Sequence, residues 1–247
     1  MNSKWRTIVF FIAAAGFSCL YFLGVKNLPP WGHYRGPYGD LISAVGVYER
    51  HATDAVNAID YDSRGFDTLG EEFILFTSVL GVMMLLREMK RPPKTSPPDK
   101  GLSDAVKASA GAGFAALVIF GIYMTTHGQL SPGGGFQGGV IVASASMLVY
   151  IAENFPVYKQ ITSHPLVEIL ESVGAGFYVI IGLVPLVLAT PFLTNWMPLG
   201  KTGNVFSSGT IAAISASVGL EVAAGFLLLG YTYLEEIISD TGEESRE

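Results

Sequence analysis

The sequence predicts an all-α integral membrane protein with about six transmembrane helices. Half of its 247 residues are hydrophobic, and only 15% are charged, against about 25% in a typical soluble domain. Six apolar stretches reach the length of about 20 residues that a helix needs to cross a bilayer core. We place these spans near residues 7–25, 69–87, 106–126, 136–153, 168–190 and 206–233.

The first apolar run, from Ile8 to Val25, follows the basic residues Lys4 and Arg6, an order shared by signal peptides and membrane anchors. We interpret it as an anchor because it is long enough to span and lacks a convincing small-x-small cleavage site at its end. The single cysteine, Cys19, lies within this run. The chain therefore cannot build a disulfide framework or a Cys-rich metal site from its own residues.

Two polar connections divide the chain. The first, residues 26–68, is rich in Gly, Pro and Tyr and includes a candidate amphipathic helix at the membrane surface over residues 40–59. The second, residues 88–104, carries two Pro-Pro pairs among lysines and is typical of a stiff, solvated linker. We therefore predict a two-helix unit over 1–90, a linker over 91–104, a four-helix unit over 105–236 and an acidic C-terminal tail over 237–247.

Charged residues predict the orientation and exclude some partners. With the N-terminus inside, the inside segments hold twice as many Lys and Arg residues as the outside segments, so we expect both termini on the cytoplasmic side of the plasma membrane. A formal net charge of −6 leaves no basic excess for nucleic acid. His33, His51 and His164 are isolated on predicted loops, no two histidines are spaced to bind a metal, and we expect no metal site and no cofactor.

An acidic motif stands directly before the second span and reads Arg64-Gly-Phe-Asp67-Thr-Leu-Gly-Glu71-Glu72. Asp67 and the acids after it fit the positive end of a helix dipole, which explains them as a helix cap. Together with Asp60 and Asp62, they also place acids at a membrane mouth, where acids gather cations or relay protons. Both interpretations stay open.

A glycine-rich motif lies between the third and fourth spans and reads His127-Gly-Gln-Leu-Ser-Pro132-Gly133-Gly134-Gly135-Phe136-Gln-Gly138-Gly139. It lacks a Lys-Ser/Thr pair, a preceding strand and nearby basic residues, which argues against a nucleotide site. We interpret the motif as structural, because its glycines permit a tight turn and a close helix crossing. His127 is a candidate for proton transfer, although a hydrogen-bonded histidine at a helix end is the commoner case.

Three further acids fall in predicted spans. Glu221 lies near the middle of the sixth span, where an unpaired charge costs about 2.5 to 3.5 kcal/mol. A protonated glutamate bonded to another helix and a role in ion or proton passage explain it equally well. Glu168 and Glu171 begin the fifth span one turn apart, and their helix-dipole placement accounts for them without a function. The candidates for an ion or proton path are Glu221, Asp67, Glu71, Glu72, His127, Glu168 and Glu171.

Both motifs carry a resemblance to one kind of membrane complex. The stretch from Val56 to Glu71 is similar to the C-terminal part of the A subunit of Mrp-type multisubunit Na⁺/H⁺ antiporters, and equally to the small E subunit of related membrane-bound hydrogenases. This likeness covers residues 1–90. The glycine-rich motif, with Thr190-Pro-Phe-Leu, Pro198-Leu-Gly-Lys201-Thr-Gly and Val218-Gly-Leu-Glu221-Val, resembles the Mrp antiporter B subunit (MnhB family) over residues 105–236.

The resemblance implies a non-catalytic membrane subunit of an Mrp-type cation (Na⁺)/proton antiporter module. The parent assembly would be a free-standing antiporter or a larger respiratory complex of the membrane-bound hydrogenase or sulfur reductase type. Its implied partners are other membrane subunits, with Na⁺ and H⁺ as the ions, and the family places an acid at the position of Glu221. The residues Gly-Gln-Leu-Ser between His127 and Pro132 are closer to the hydrogenase and sulfur-reducing relatives.

Two other functions compete with this interpretation. A stand-alone secondary ion transporter predicts inverted repeats and helices broken at mid-membrane, whereas no inverted repeat is visible and Pro185 is the only proline well inside a predicted span. A membrane hydrolase or transferase requires a convergent acid, base and nucleophile or a metal set, and the sequence shows no such constellation. We therefore expect no catalytic site in this chain.

Overall fold

The computed structural model describes residues 3–28, 32, 36–87, 102–153 and 155–244. These residues form helices and loops and contain no strand. A π-helix, Ile59–Ser63, follows α3 directly. The α-helices are α1 Ser3–Lys26, α2 Pro37–Arg50, α3 Ala55–Ala58, α4 Gly65–Arg87, α5 Asp104–Thr126, α6 Gly135–Glu153, α7 Phe155–Ile161, α8 His164–Val187 and α9 Thr210–Glu244.

Six of these helices are long and apolar enough to cross a membrane, which confirms the predicted all-α membrane class. Their spans are Thr7–Lys26, Gly65–Leu86, Asp104–Thr126, Gly135–Glu153, His164–Val187 and Thr210–Glu236. The second and fifth begin about one turn earlier than predicted. The prediction followed the apolar runs, whereas the first turns of these two helices contain polar residues that are nevertheless helical.

The chain divides into two compact units, residues 1–41 and 42–247. Most of the predicted linker over 91–104 lies outside the described residues, as does His33, and the predicted division into 1–90 and 105–236 stays a prediction. The candidate surface helix over 40–59 is interrupted, because α2 ends at Arg50 and α3 begins at Ala55. At the other terminus, α9 continues into the predicted tail as far as Glu244.

Helix α9 is the centre of the larger unit and contacts α4, α6 and α8. Glycines permit the close approach. A Cβ atom added at Gly139 of α6 would lie 2.8 Å from Val222 Cβ of α9, and one added at Gly174 of α8 would lie 2.8 Å from Glu221 Cα. Because side chains at these positions would force the helices apart, the glycines set the short distances at which α6 and α8 pack on α9.

Three connections meet at one end of this bundle, which we call the loop end and define as residues 51–64, 127–134 and 188–209. The Thr53 amide donates to the Gln129 carbonyl at 2.9 Å, and the Ser208 hydroxyl donates to the His51 carbonyl at 3.0 Å. The opposite end comprises the end of α6, α7, the start of α8 and the corresponding part of α9. There the Tyr158 hydroxyl donates to the Leu227 carbonyl at 3.3 Å.

Candidate functional site

Three glutamates from three helices are buried inside the bundle. Glu72 of α4, Glu171 of α8 and Glu221 of α9 are only 5%, 3% and 1% exposed. Their helices bring them together because α4 and α8 both pack against α9. A buried carboxylate is costly unless it is paired, hydrogen-bonded or protonated, so three of them in one bundle require an explanation beyond packing.

The carboxyl groups of Glu72 and Glu221 face each other within hydrogen-bonding reach. Oε2 of Glu72 and both carboxyl oxygens of Glu221 receive no hydrogen bond from an N–H or O–H group of the described residues. Two ionised carboxylates only accept hydrogen bonds, so a bond between them requires a proton on one of them. A hydrogen bond between Glu72 and Glu221 therefore contains one proton that the two carboxyl groups share.

Glu171 approaches the same pair from α8. Its Oε1 atom also lacks a donor among the described residues and lies 3.4 Å from where a Cβ of Gly225 would stand. Gly225 follows Glu221 by one helical turn, and Glu171 and Glu221 interact electrostatically. The hydroxyl of Ser217, one turn before Glu221, donates to the Gly174 carbonyl at 2.7 Å and holds α8 against α9.

A cavity of about 240 Å³ at the loop end reaches Glu72. It joins the two motifs of the sequence, because its wall is lined by Asn57, Asp60, Tyr61, Thr68, Glu71, Glu72, Gly133, Phe136 and Gln137. Consecutive residues of an α-helix point about 100° apart, so Glu71 is exposed at the mouth while Glu72 points inward. The cavity thus leads from exposed acids to a buried one.

Hydrogen bonds between the two motifs hold the cavity wall. The amide of Asn57 donates to the Gly133 carbonyl at 2.9 Å, and the backbone N–H of Gly135 donates to the Tyr61 hydroxyl at 3.2 Å. Burial raises the pKa of Tyr61, so this hydroxyl keeps its proton. Sequence reasoning missed Asn57 and Tyr61, whose one signal was their position within the motif from Val56 to Glu71.

Asp60 is a titratable group at the cavity mouth, and its surroundings raise its pKa. Partial burial raises the pKa of Asp60, and the carboxylates of Glu71 and Asp54 raise it further, while Arg64 partly offsets the rise. A carboxyl group with a raised pKa exchanges protons closer to neutral pH than an ordinary aspartate. The mouth therefore holds an acid suited to receiving and releasing protons.

The other predicted candidates lie outside the cavity. Asp67 is exposed in the first turn of α4, where Arg64 Nε donates to its Oδ2 at 2.6 Å. The His127 ring stacks on Tyr123 with ring centroids 4.2 Å apart, at the end of α5. Glu168 is exposed at the opposite end and lies 3.4 Å from His164 Nδ1. His164 is thus the first residue of α8 and has an acidic neighbour, whereas the sequence placed it alone on a loop.

Within the described part of the chain, no group of three or more His, Cys, Asp or Glu side chains is arranged to hold a metal ion. The facing carboxyl groups belong to Glu72 and Glu221. Facing carboxyl groups of this kind can bind, release and transfer protons, and they can hold a monovalent cation in place of a proton.

Comparison with known proteins identifies the family of this chain. Residues 105–228 match the family model described as "Domain related to MnhB subunit of Na+/H+ antiporter". The chain is 28% identical to an uncharacterized protein of Methanocaldococcus jannaschii, and the alignment covers 99% of each chain. It is 37% identical to a Staphylococcus aureus (strain Newman) protein that carries the name antiporter subunit mnhB2, over 32% of this chain and 56% of that protein.

Two solved structures share the fold. The first is the membrane-bound sulfane sulfur reductase, an archaeal respiratory membrane complex, with a TM-score of 0.70 and 27% identity over 93% of this chain and 98% of that chain. The second is the Mrp complex from Dietzia sp. DQ12-45-1b, with a TM-score of 0.68 and 20% identity. That match covers 94% of this chain but only 26% of the Mrp chain.

Proposed function

Because the chain belongs to the family of domains related to the MnhB subunit of Na⁺/H⁺ antiporters, we propose that its buried glutamates line a path for protons or monovalent cations through the membrane. The chain is a multi-pass membrane subunit of an Mrp-type module, and other membrane subunits are its partners. The proposed ions are Na⁺ and H⁺. The proposed role is conductive and structural, with the driving chemistry supplied by other subunits.

The observation that carries this proposal is the cavity that leads from Asp60 and Glu71 at the loop end to Glu72, whose carboxyl group faces that of Glu221. Acids at a mouth raise the local concentration of cations and protons. A buried carboxylate deeper in the bundle is favourable only when a proton or a cation neutralises it. A cation that enters the cavity therefore meets a pair of carboxyl groups that require one positive charge.

The Glu72–Glu221 pair allows a cation to replace a proton in the path. When a proton bridges Glu72 and Glu221, the positive charge that they require is already present. When that proton leaves, a monovalent cation can take its place between the same oxygens. A site that couples proton movement to cation movement must bind one of the two ions at a time, and the Glu72–Glu221 pair meets this requirement.

Sequence similarity supports a redox-driven parent complex. The chain is 27% identical to the sulfur reductase structure and 20% identical to the Mrp chain. We therefore place this chain in a respiratory complex of the sulfur reductase or membrane-bound hydrogenase type. From the six candidate spans among the described residues and the distribution of Lys and Arg, we propose that both termini lie on the cytoplasmic side of the plasma membrane.

The test is ion flux through the whole complex. The complex is purified in mild detergent, reconstituted into vesicles, and compared with the same complex carrying Glu221→Gln. Gln has almost the shape of Glu and donates hydrogen bonds to Glu72, so the complex assembles. Coupled Na⁺ and H⁺ flux falls at least about tenfold, because a positioned acid that transfers protons contributes on this scale or more.

The matched control is Glu153→Gln. Glu153 lies 3.7 Å from Lys107 at the opposite end and away from the cavity, so its variant keeps wild-type flux. Unchanged flux with Glu221→Gln would leave the glutamate with a packing role alone. A chain that purifies without partners and moves Na⁺ by itself would instead support a stand-alone transporter.

A further inference from the structure

We propose that Glu171 and the pair formed by His164 and Glu168 extend the path from Glu221 to the opposite end of the bundle, so that this one chain carries a complete transmembrane route for protons. The inference rests on the proposed function, because it takes Glu72 and Glu221 as the first part of the route. It adds the ion class, which is the proton, and the second part of the route.

The three buried glutamates lie at successive depths. Glu72 is seven residues into α4 from the loop end, or about 10 Å at 1.5 Å per residue, and Glu221 is eleven residues into α9, or about 16 Å. Glu171 is seven residues into α8 from the opposite end, again about 10 Å. Since a bilayer core is about 30 Å thick, Glu171 lies between the pair formed by Glu72 and Glu221 and the opposite end of the bundle.

The contact between α8 and α9 places Glu171 one turn beyond Glu221 along this route. Gly174 lies against the backbone of Glu221, and Oε1 of Glu171 lies against Gly225, one turn closer to the opposite end. Both glutamates are more than nine-tenths buried, and these carboxyl oxygens have no donor among the described residues. An oxygen without a donor in this position is free to accept a proton from its neighbour.

The helices are in close contact beside these two acids. A Cβ at Gly225 would be 3.3 Å from Val79 Cγ2 and 3.4 Å from Glu171 Oε1, and one at Gly174 would be 2.8 Å from Glu221 Cα. The cavity of about 240 Å³ is lined by Glu72 but by neither Glu171 nor Glu221. A proton passes between oxygens that are within hydrogen-bonding reach of each other or of one water molecule, so we assign the proton to this second part of the route.

Each proton transfer along the route conserves atoms and charge. The carboxyl O–H bond of Glu221 breaks as an O–H bond forms on the Glu171 carboxylate, and the negative charge moves from Glu171 to Glu221. Glu171 then passes the proton towards Glu168, one turn closer to the opposite end, with which it interacts electrostatically. No oxidant or reductant takes part, because only a proton changes place.

The route ends at Glu168, beside His164. The His164 Nδ1 atom lies 3.4 Å from Glu168 Oε1, with side chains that are 23% and 48% exposed respectively. The His164 ring packs edge-to-face on Tyr231 of α9 with ring centroids 5.0 Å apart, which fixes its orientation. The Nε2 atom of His164 is buried and has no hydrogen-bond partner among the described residues, so the proton leaves to water from the exposed Glu168 carboxyl group, which His164 holds in place.

The experiment separates this route from the proposed function. The whole complex is isolated through a tag on a partner subunit and reconstituted into vesicles, and proton flux is measured with an internal pH indicator. Cation binding is measured in parallel with radioactive Na⁺. The variants are Glu171→Gln and Gly225→Val, with Glu153→Gln as the control, and fluxes are compared per assembled complex.

Glu171→Gln lowers proton flux at least about tenfold, because the amide cannot carry a proton through the contact. It lowers proton flux by a larger factor than it lowers Na⁺ binding, since the cavity is lined by Glu72 but not by Glu171. Gly225→Val keeps both acids but separates them and lowers proton flux as well. Wild-type proton flux in the Glu171→Gln complex overturns the route. If Glu221→Gln abolishes flux while Glu171→Gln does not, the route fails and the proposed function stands; if neither changes flux, both fail.

Discussion

The carboxyl group of Glu72 on α4 faces that of Glu221 on α9 inside the bundle, although the two residues belong to different halves of the sequence. Neither half can form this pair alone. Helix α3 and the π-helix are both bonded to the glycine-rich motif, α3 through Asn57 and Gly133 and the π-helix through Tyr61 and Gly135. The two motifs thus form one site, in which the first contributes the acids at the mouth and the second contributes the opposite wall.

If Glu72 and Glu221 act as one unit, their effects on ion flux are not additive. Glu72→Gln and Glu221→Gln each lower flux at least about tenfold, and the double variant is no slower than the slower single variant, as expected for residues that act together. The measurement is coupled flux of the reconstituted complex, with Glu153→Gln as the control. Losses that multiply in the double variant would mean that the two carboxyl groups work independently.

Gly174 is required for the close packing of α8 on α9. A Cβ at this position would lie 2.8 Å from Glu221 Cα, so Gly174→Ala displaces the helices and destabilises the complex by about 1 to 3 kcal/mol. Gly176→Ala is the matched control on the same helix, because nothing lies within 4 Å of its added Cβ. Thermal unfolding in detergent compares the two. Equal melting temperatures would show that the contact tolerates a methyl group.

The Tyr61 hydroxyl is the acceptor for the backbone N–H of Gly135. Tyr61→Phe leaves that N–H buried without its partner, and we expect a loss of about 1 to 3 kcal/mol in stability. Tyr233→Phe removes a hydroxyl from a side chain that is half exposed on α9 and serves as the control. The free energy of unfolding measured in denaturant decides the matter, and a Tyr61→Phe variant as stable as the control would contradict the expectation.

Asp60 makes stability depend on pH. Its pKa in the folded protein is raised above the ordinary value of 3.8, first by burial and then by Glu71 and Asp54. The folded state therefore holds the Asp60 proton more tightly than the unfolded state does. This contribution to stability is fully present below the unfolded pKa and is lost as pH rises through the folded pKa.

Asp60→Asn removes that dependence, so its melting temperature falls less than that of wild type as pH rises from about 4 through the folded pKa. Melting curves at a series of pH values provide the measurement. Asp67→Asn, which removes an exposed acid bonded to Arg64, is the control for a general change in charge. Parallel curves for wild type and Asp60→Asn would show that another group governs this pH range.

His127 lies outside the cavity, stacked on Tyr123 at the end of α5. We expect His127→Asn to leave proton flux within about twofold of wild type, since His127 does not line the cavity and changes away from such a site usually alter free energies by no more than about 0.5 kcal/mol. The same flux assay tests it. If His127→Asn lowered proton flux as much as Glu221→Gln does, His127 would be part of the proton path, and that part of the path would lie outside the cavity.

The sequence alone determined the membrane class, the six spans and the resemblance to the MnhB subunit, and each of these is confirmed. These are local properties. The length of an apolar run decides whether a helix can cross a bilayer, and the glycine-rich motif is recognised from consecutive residues. Glu221 was likewise identifiable as an unusual residue, because a charge in the middle of an apolar run is costly wherever the helix packs.

Only the tertiary structure decided which acids meet. Glu71 and Glu72 are adjacent in the sequence, yet one is exposed and the other is buried against Glu221; Glu168 and Glu171 divide in the same way. The outcome depends on how each helix is rotated about its axis and on which neighbour it faces. Contacts between residues far apart in the chain set that rotation. The rotation cannot be derived from composition or from the spacing of residues within one helix.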